Sequence, residues 1–180
     1  MLDAKGFDSQ ADTNDTATEL LRLAQKCGWT LTTAESCTGG LISAALTRVS
    51  GASGNFHEAY VTYSNEAKAR LLGVPELTIV EYGAVSVETA HAMAEGALKA
   101  ASADLAMSVT GIAGPNGGTE QKPVGMVCFG LGYKDADGVV RSQATVHIFE
   151  NRGRDYIREQ SVRFALQWAL RHLRTVAAQA

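Results

Sequence analysis

The feature that most narrows the fold is how the strand-like segments are joined. Two of them, about Val124 to Tyr133 and Val139 to Phe149, are separated only by Asp135-Ala136-Asp137-Gly138, a strong turn signal. A hairpin makes its strands antiparallel. The earlier segments, Trp29 to Ala34, Phe56 to Tyr63 and Asp104 to Thr110, are separated by helical patterns instead. Helical crossovers within one sheet make strands parallel neighbours. One sheet must therefore hold both kinds of pairing. The expected fold class is α/β, a three-layer α/β/α sandwich with a mixed sheet in a single domain.

The helical patterns are marked by their breakers. Leu20, Leu21, Leu23, Ala24 and Cys27 recur at helical spacing and stop at Gly28. A second helix is expected from about Thr38 to Val49. Ser64 caps a short one over Asn65 to Leu72, ended by Gly73, and Pro75 to Tyr82 forms a helical turn closed by Gly83. Ser86 caps a longer helix to about Ala101, and the last runs from Asp155 to Ala177. Residues 1–14 are polar and aperiodic and read as a disordered tail. Residues 15–180 then form one domain, and neither a repeat nor a linker divides it.

Composition excludes several function classes. A net charge of −3 supplies no basic face to offset phosphate repulsion, so no nucleic-acid partner is expected. The three cysteines, Cys27, Cys37 and Cys128, are widely spaced, and His57, His91, His147 and His172 form no i,i+4 pair. Neither a disulfide framework nor a structural zinc site follows from such spacing. No metal and no cofactor are expected. No apolar stretch approaches the roughly 18 residues that span a bilayer. The N-terminus also lacks a basic region followed by an apolar run. The expectation is a cytoplasmic protein with no membrane partner.

Ligands of open α/β sheets bind beyond the carboxyl ends of the strands. One strand end here is Ala34-Glu35-Ser36-Cys37-Thr38-Gly39-Gly40, small hydroxylated residues leading into a helix. Unpaired N–H groups at such a start can hold an anion or a developing oxyanion, with Ser36 facing it. Equally, Ser36 or Thr38 can simply cap the helix. A second strand end, Thr110, runs into Gly111-Ile112-Ala113-Gly114-Pro115-Asn116-Gly117-Gly118, whose small residues let backbone approach a ligand. This loop matches neither the phosphate loop nor the dinucleotide fingerprint, and a loop without function fits it as well.

In a third segment, Tyr63-Ser64-Asn65-Glu66-Ala67-Lys68, a tyrosine closes a strand and a lysine lies one turn into a helix. Lysine acts as a base only when desolvation or a nearby cation lowers its pKa, and otherwise is a solvated side chain. Cys37 at the same helix start makes a cysteine hydrolase the competing reading, although no histidine stands in an evident catalytic context. The histidines read as surface residues. Arg152 and Arg154, just before the last helix, either bind a phosphate or decorate a helix start. Arg158, Arg163, Arg171 and Arg174 read as a solvated face.

These segments occur in one order with Gly83-Ala84-Val85-Ser86 and Lys122-Pro123-Val124-Gly125. Thr33 to Gly40, Val61 to Lys68 and Ser108 to Pro115 complete the set. Together they closely resemble the CinA C-terminal domain family over roughly Ala17 to Ala177. The resemblance implies a metal-free serine amidohydrolase acting on a small-molecule nucleotide, since stand-alone members are nicotinamide-nucleotide amidohydrolases. It implies Ser36 as nucleophile, Lys68 as base and Tyr63 as proton relay. Cys37, Thr38, Gly39, Thr110, Gly111 and Gly114 would line the substrate site. Arg154 would hold the phosphate, with Arg152 as its alternative because the local turn differs from the family's Gly-Asp-Arg. A homodimer is also expected on this basis. The alternative function is a catalytically silent nucleotide-binding or regulatory domain of the same fold.

Overall fold

Caps and breakers set the limits of most elements. In the computed structural model, which describes residues 6–135 and 137–178, the order is α1 (Thr13–Cys27), β1 (Leu31–Glu35), α2 (Leu41–Thr47), β2 (Phe56–Val61), α3 (Asn65–Leu72) and α4 (Glu76–Tyr82). Then follow α5 (Val87–Ala100), β3 (Leu105–Gly111), β4 (Met126–Lys134), β5 (Val140–Ile148) and α6 (Arg154–Ala177). The Asp12, Ser64 and Ser86 side chains accept from the first-turn amides of α1, α3 and α5. Gly28 and Gly73 end α1 and α3 in the left-handed conformation.

The sheet is mixed, in the order β2-β1-β3-β4-β5. β1 pairs in parallel with β2 and β3, whereas β3–β4 and β4–β5 are antiparallel. Two apolar layers lie against it. One joins Leu20, Ile42, Phe129, Ile157, Phe164 and Trp168 from α1, α2, α6 and the sheet; the other joins Leu72, Met93, Ala97, Leu98 and Ala106. Helices thus cover both faces, and every residue of β1 is buried. Because β1, β2 and β3 run in parallel, their carboxyl ends converge on one edge. No helix among the described residues is long and apolar enough to cross a membrane.

Two boundaries differ from the sequence reading. The expected tail over residues 1–14 is corrected from Gly6 onward, residues 1–5 lying outside the described residues. The Asp8 amide donates to Gln167, Arg171 and Gln160 donate to the Gly6 and Ser9 carbonyls, and Phe7 lies edge-on to Phe149. One aromatic ring and backbone hydrogen bonds order a stretch that has no periodicity. The second helix begins at Leu41 rather than Thr38, because Gly39 and Gly40 take φ of 61° and 99°. Residues 36–40 are therefore a turn.

α5 comes close to α3 at Gly96, where a Cβ would collide with the Leu72 carbonyl. Backbone has to move to admit a side chain there, and α3 carries Lys68 one turn earlier. Gly96→Ala is expected to destabilise the protein by about 1–3 kcal/mol, read as a lower urea midpoint. An unchanged midpoint would mean that the two helices separate freely.

Candidate active site

β1 ends at Glu35, and the next amide, that of Ser36, donates to the Val109 carbonyl of β3 at 2.9 Å. The nucleophile candidate is thereby fixed where two parallel strands end. From the first turn of α3, Lys68 extends to the same point. Its Nζ lies 3.2 Å from Ser36 Oγ and 2.9 Å from the Thr62 carbonyl. The residue is only 1% exposed, so this ammonium has lost nearly all contact with water. Among the described residues no carboxylate forms a salt bridge with it. Burial holds its pKa below the ordinary lysine value, against weaker opposing effects of Cys37 and Glu66. Once neutral, Nζ is within hydrogen-bond distance to accept the Ser36 hydroxyl proton.

The turn after Ser36 is held from two sides. The buried Glu35 carboxylate accepts from the amides of Gly40 (3.0 Å), Ile42 (3.0 Å) and Ser43 (2.8 Å), and from the Ser43 hydroxyl. Arg158 of α6 donates through Nε to the Cys37 carbonyl at 3.2 Å and through Nη2 to the Thr38 carbonyl at 3.1 Å. The Gly39 amide closes the turn onto the Ser36 carbonyl. Among the described residues the Cys37 and Thr38 amides donate to no acceptor. Burial pushes the Cys37 thiol up to about 12, so a thiolate is disfavoured there. The cysteine-hydrolase reading loses its nucleophile at neutral pH.

Tyr63 follows the end of β2 and is 63% exposed. Its hydroxyl accepts from Arg154 Nη2 at 2.9 Å, while Arg154 Nη1 donates to the Gly114 carbonyl at 2.9 Å. Arg154 thus ties the end of β2 to the glycine loop, and no carboxylate among the described residues forms a salt bridge with it. Arg152 instead lies over the Tyr156 ring, 4.5 Å from its centre. No hydrogen bond joins Tyr63 to Ser36 or Lys68. The Thr110 hydroxyl is buried and donates to the Ala84 carbonyl, and the buried Thr38 hydroxyl has no partner. A Cβ on Gly111 would press on Val127 and the Met126 carbonyl, and one on Gly114 would press on Val124. Both glycines are needed for packing, whatever they do for a ligand. Among the described residues no three His, Cys, Asp or Glu side chains gather as metal ligands do.

The family model described as the CinA C-terminal domain matches residues 13–173. The chain belongs to the CinA C-terminal domain family. It is 51% identical over 144 residues to the nicotinamide-nucleotide amidohydrolase PncC of Enterobacter agglomerans, covering 80% of this chain and 85% of that one. A CinA-like protein of Citrifermentans bemidjiense is also 51% identical, over 87% of this chain but only 36% of its own length. Among solved structures, the competence/damage inducible protein CihA of Agrobacterium tumefaciens superposes with a TM-score of 0.83 at 41% identity. That match covers 91% of this chain and 96% of the other.

In this CinA-family chain the expected trio divides. Ser36 and Lys68 are in direct contact, whereas Tyr63 stands with Arg154. The two residues that shape the turn were not singled out from sequence. Glu35, expected in the turn beyond a strand ending at Ala34, is the last residue of the buried β1, where an unpaired carboxylate would be costly. Arg158, expected on a solvated face, instead directs its guanidinium at the Ser36 turn. The histidines are corrected too. Only His57 is exposed; His147 lies against Phe149 and His172 against Tyr133, and burial lowers the pKa of both. His91 contacts the Ser142 hydroxyl.

Proposed function

We propose that this CinA-family chain is an amidohydrolase that converts nicotinamide mononucleotide to nicotinate mononucleotide and ammonia. The observation that carries the reading is the buried Lys68 Nζ, 3.2 Å from Ser36 Oγ, with no carboxylate salt-bridged to it among the described residues. Desolvating a lysine is costly, and a serine–lysine nucleophile pair is what makes that cost useful. A catalytically silent nucleotide-binding domain has no need to bury an unpaired lysine beside a serine. The name of the Enterobacter agglomerans relative supplies the substrate class.

Ser36 Oγ attacks the carboxamide carbon as its proton passes to neutral Lys68. The carbonyl π pair moves onto oxygen, which faces the unpaired Cys37 and Thr38 amides. Preorganised donors of this kind contribute about 10²–10³-fold each. Collapse of the adduct expels nitrogen, which takes the proton from Lys68. Ammonia leaves and an acyl-Ser36 remains. Water then attacks while Lys68 takes its proton, and collapse frees the carboxylate and returns the proton to Ser36. Arg154 at the mouth is the cation for the phosphate, since its two protein partners are neutral.

The test is ammonia release from nicotinamide mononucleotide by purified, chelator-treated protein. Steady release with one nicotinate mononucleotide per ammonia is expected. A folded protein that binds the nucleotide and releases no ammonia would instead be the silent binding domain.

A further inference from the structure

The Glu35 carboxylate holds only the far end of the turn that carries the nucleophile. Gly39 and Gly40 give its backbone freedom, and α2 starts only at Leu41, so Cys37 and Thr38 are outside any helix. Glu35 secures the amides from Gly40 onward and does not contact the peptides of Cys37 and Thr38. Those two carbonyls are contacted by α6, through Nε and Nη2 of Arg158.

A trans peptide is planar, with its N–H directed opposite to its carbonyl. Fixing the Cys37 carbonyl on Arg158 therefore fixes the Thr38 N–H on the other side of the turn. Fixing the Thr38 carbonyl does the same for the Gly39 N–H, which donates to the Ser36 carbonyl at 3.1 Å. That bond in turn sets the peptide whose N–H belongs to Cys37. The Thr38 amide thus depends on the guanidinium, and the Cys37 amide depends on it together with the Leu41 amide, which also donates to the Thr38 carbonyl at 3.3 Å.

Arginine suits the task because its rigid, planar fork meets two adjacent carbonyls at once, which an ammonium on a flexible stem does not. Its other neighbour, Asp155, is 3.5 Å away with a side chain 87% exposed, and competes little for it. We propose that Arg158 is a positioning residue: it holds the Cys37 and Thr38 peptides so that their N–H groups meet the oxyanion formed on the substrate. The role rests on the amidohydrolase reading above. Arg158 itself acts through the turn and takes no proton.

The test compares Arg158→Met and Arg158→Lys with the wild type in three measurements. They are kcat and KM for ammonia release from nicotinamide mononucleotide across a range of pH, the rate at which a small fluorophosphonate labels Ser36, and thermal melting. Arg158→Met is expected to lose about 10- to 100-fold in kcat with KM changed less than about threefold, as for removal of an oxyanion donor. Labelling should slow in parallel, because the phosphonyl oxygen uses the same amides. The pH midpoint of kcat should stay in place, since Lys68 is untouched. Arg158→Lys should fall between the two.

An unchanged kcat and labelling rate in a folded Arg158→Met would overturn the proposal. So would a raised KM at constant kcat, which would place Arg158 on the substrate. Should Arg158→Met fail to fold, wild-type kcat in Arg158→Lys would refute the two-carbonyl hold, and a reduced kcat at unchanged KM would support it. If the wild type releases no ammonia, only the amidohydrolase reading fails, and the labelling rates still decide the role of Arg158.

Discussion

Replacing Ser36 by alanine is expected to lower kcat for ammonia release by about 10⁴-fold or more while leaving nucleotide affinity within about threefold. The loss is large because the substitution removes the attacking atom, and the remaining amides and lysine can only assist water. Affinity survives because Arg154, the proposed phosphate cation, is hydrogen-bonded to Gly114 and Tyr63 rather than to Ser36. The fold survives as well, since the Ser36 amide, which alanine keeps, makes the bond to Val109. Calorimetric titration with nicotinamide mononucleotide beside the ammonia assay reads both quantities. Ammonia release at the wild-type rate would take Ser36 out of the reaction. Cys37 would be a poor substitute, with its thiol pushed up to about 12 by burial.

The second large effect belongs to Lys68. Lys68→Met removes the base and keeps an apolar stem of similar length, and should cost about 10²–10⁴-fold in kcat. In the wild type, activity should rise with pH as the buried ammonium loses its proton, at a pKa that desolvation sets below the ordinary lysine value. The residual activity of Lys68→Met should be flat across that limb. Stability follows the same protons. Between the lowered folded pKa and the unfolded value of about 10.4, the unfolded chain holds a proton that the folded chain has released. Wild-type stability relative to Lys68→Met therefore rises with pH through this window, and the penalty of burying the charge is fully present below it. Urea midpoints of both proteins at several pH values read this difference. A constant difference would mean that Lys68 titrates alike folded and unfolded.

Much of the fold is legible in the sequence because its signals are local. Asp135 to Gly138 imposes the hairpin, Ser64 and Ser86 cap helices, and the uniformly buried β1 reads as a strand covered on both faces. The start of α2 is less legible, since a pair of glycines is equally compatible with a helix entrance and with a left-handed turn ahead of it. Ser36 and Lys68 are visible as motif residues, yet their contact spans 32 positions and depends on the pairing of β1 with β2. Arg158 is the hardest to see. Arg158, Arg163, Arg171 and Arg174, spaced along one helix, look alike in sequence, and the distinction comes from what faces each of them. Arg158 meets Cys37 and Thr38 across 121 and 120 positions, a relation that no local pattern encodes. Residues 6–12 are obscure for a similar reason, because their partners Gln160, Gln167 and Arg171 belong to the other end of the fold.

That α6 supplies both Arg154 and Arg158 has a consequence during synthesis. The ribosome delivers Ser36 and Lys68 early, together with the strands that hold them. Both guanidiniums emerge more than a hundred residues after the nucleophile. Until α6 docks, the Cys37 and Thr38 carbonyls lack their Arg158 contacts, and Tyr63 and Gly114 lack Arg154. On the roles proposed above, full activity waits on the docking of the final helix.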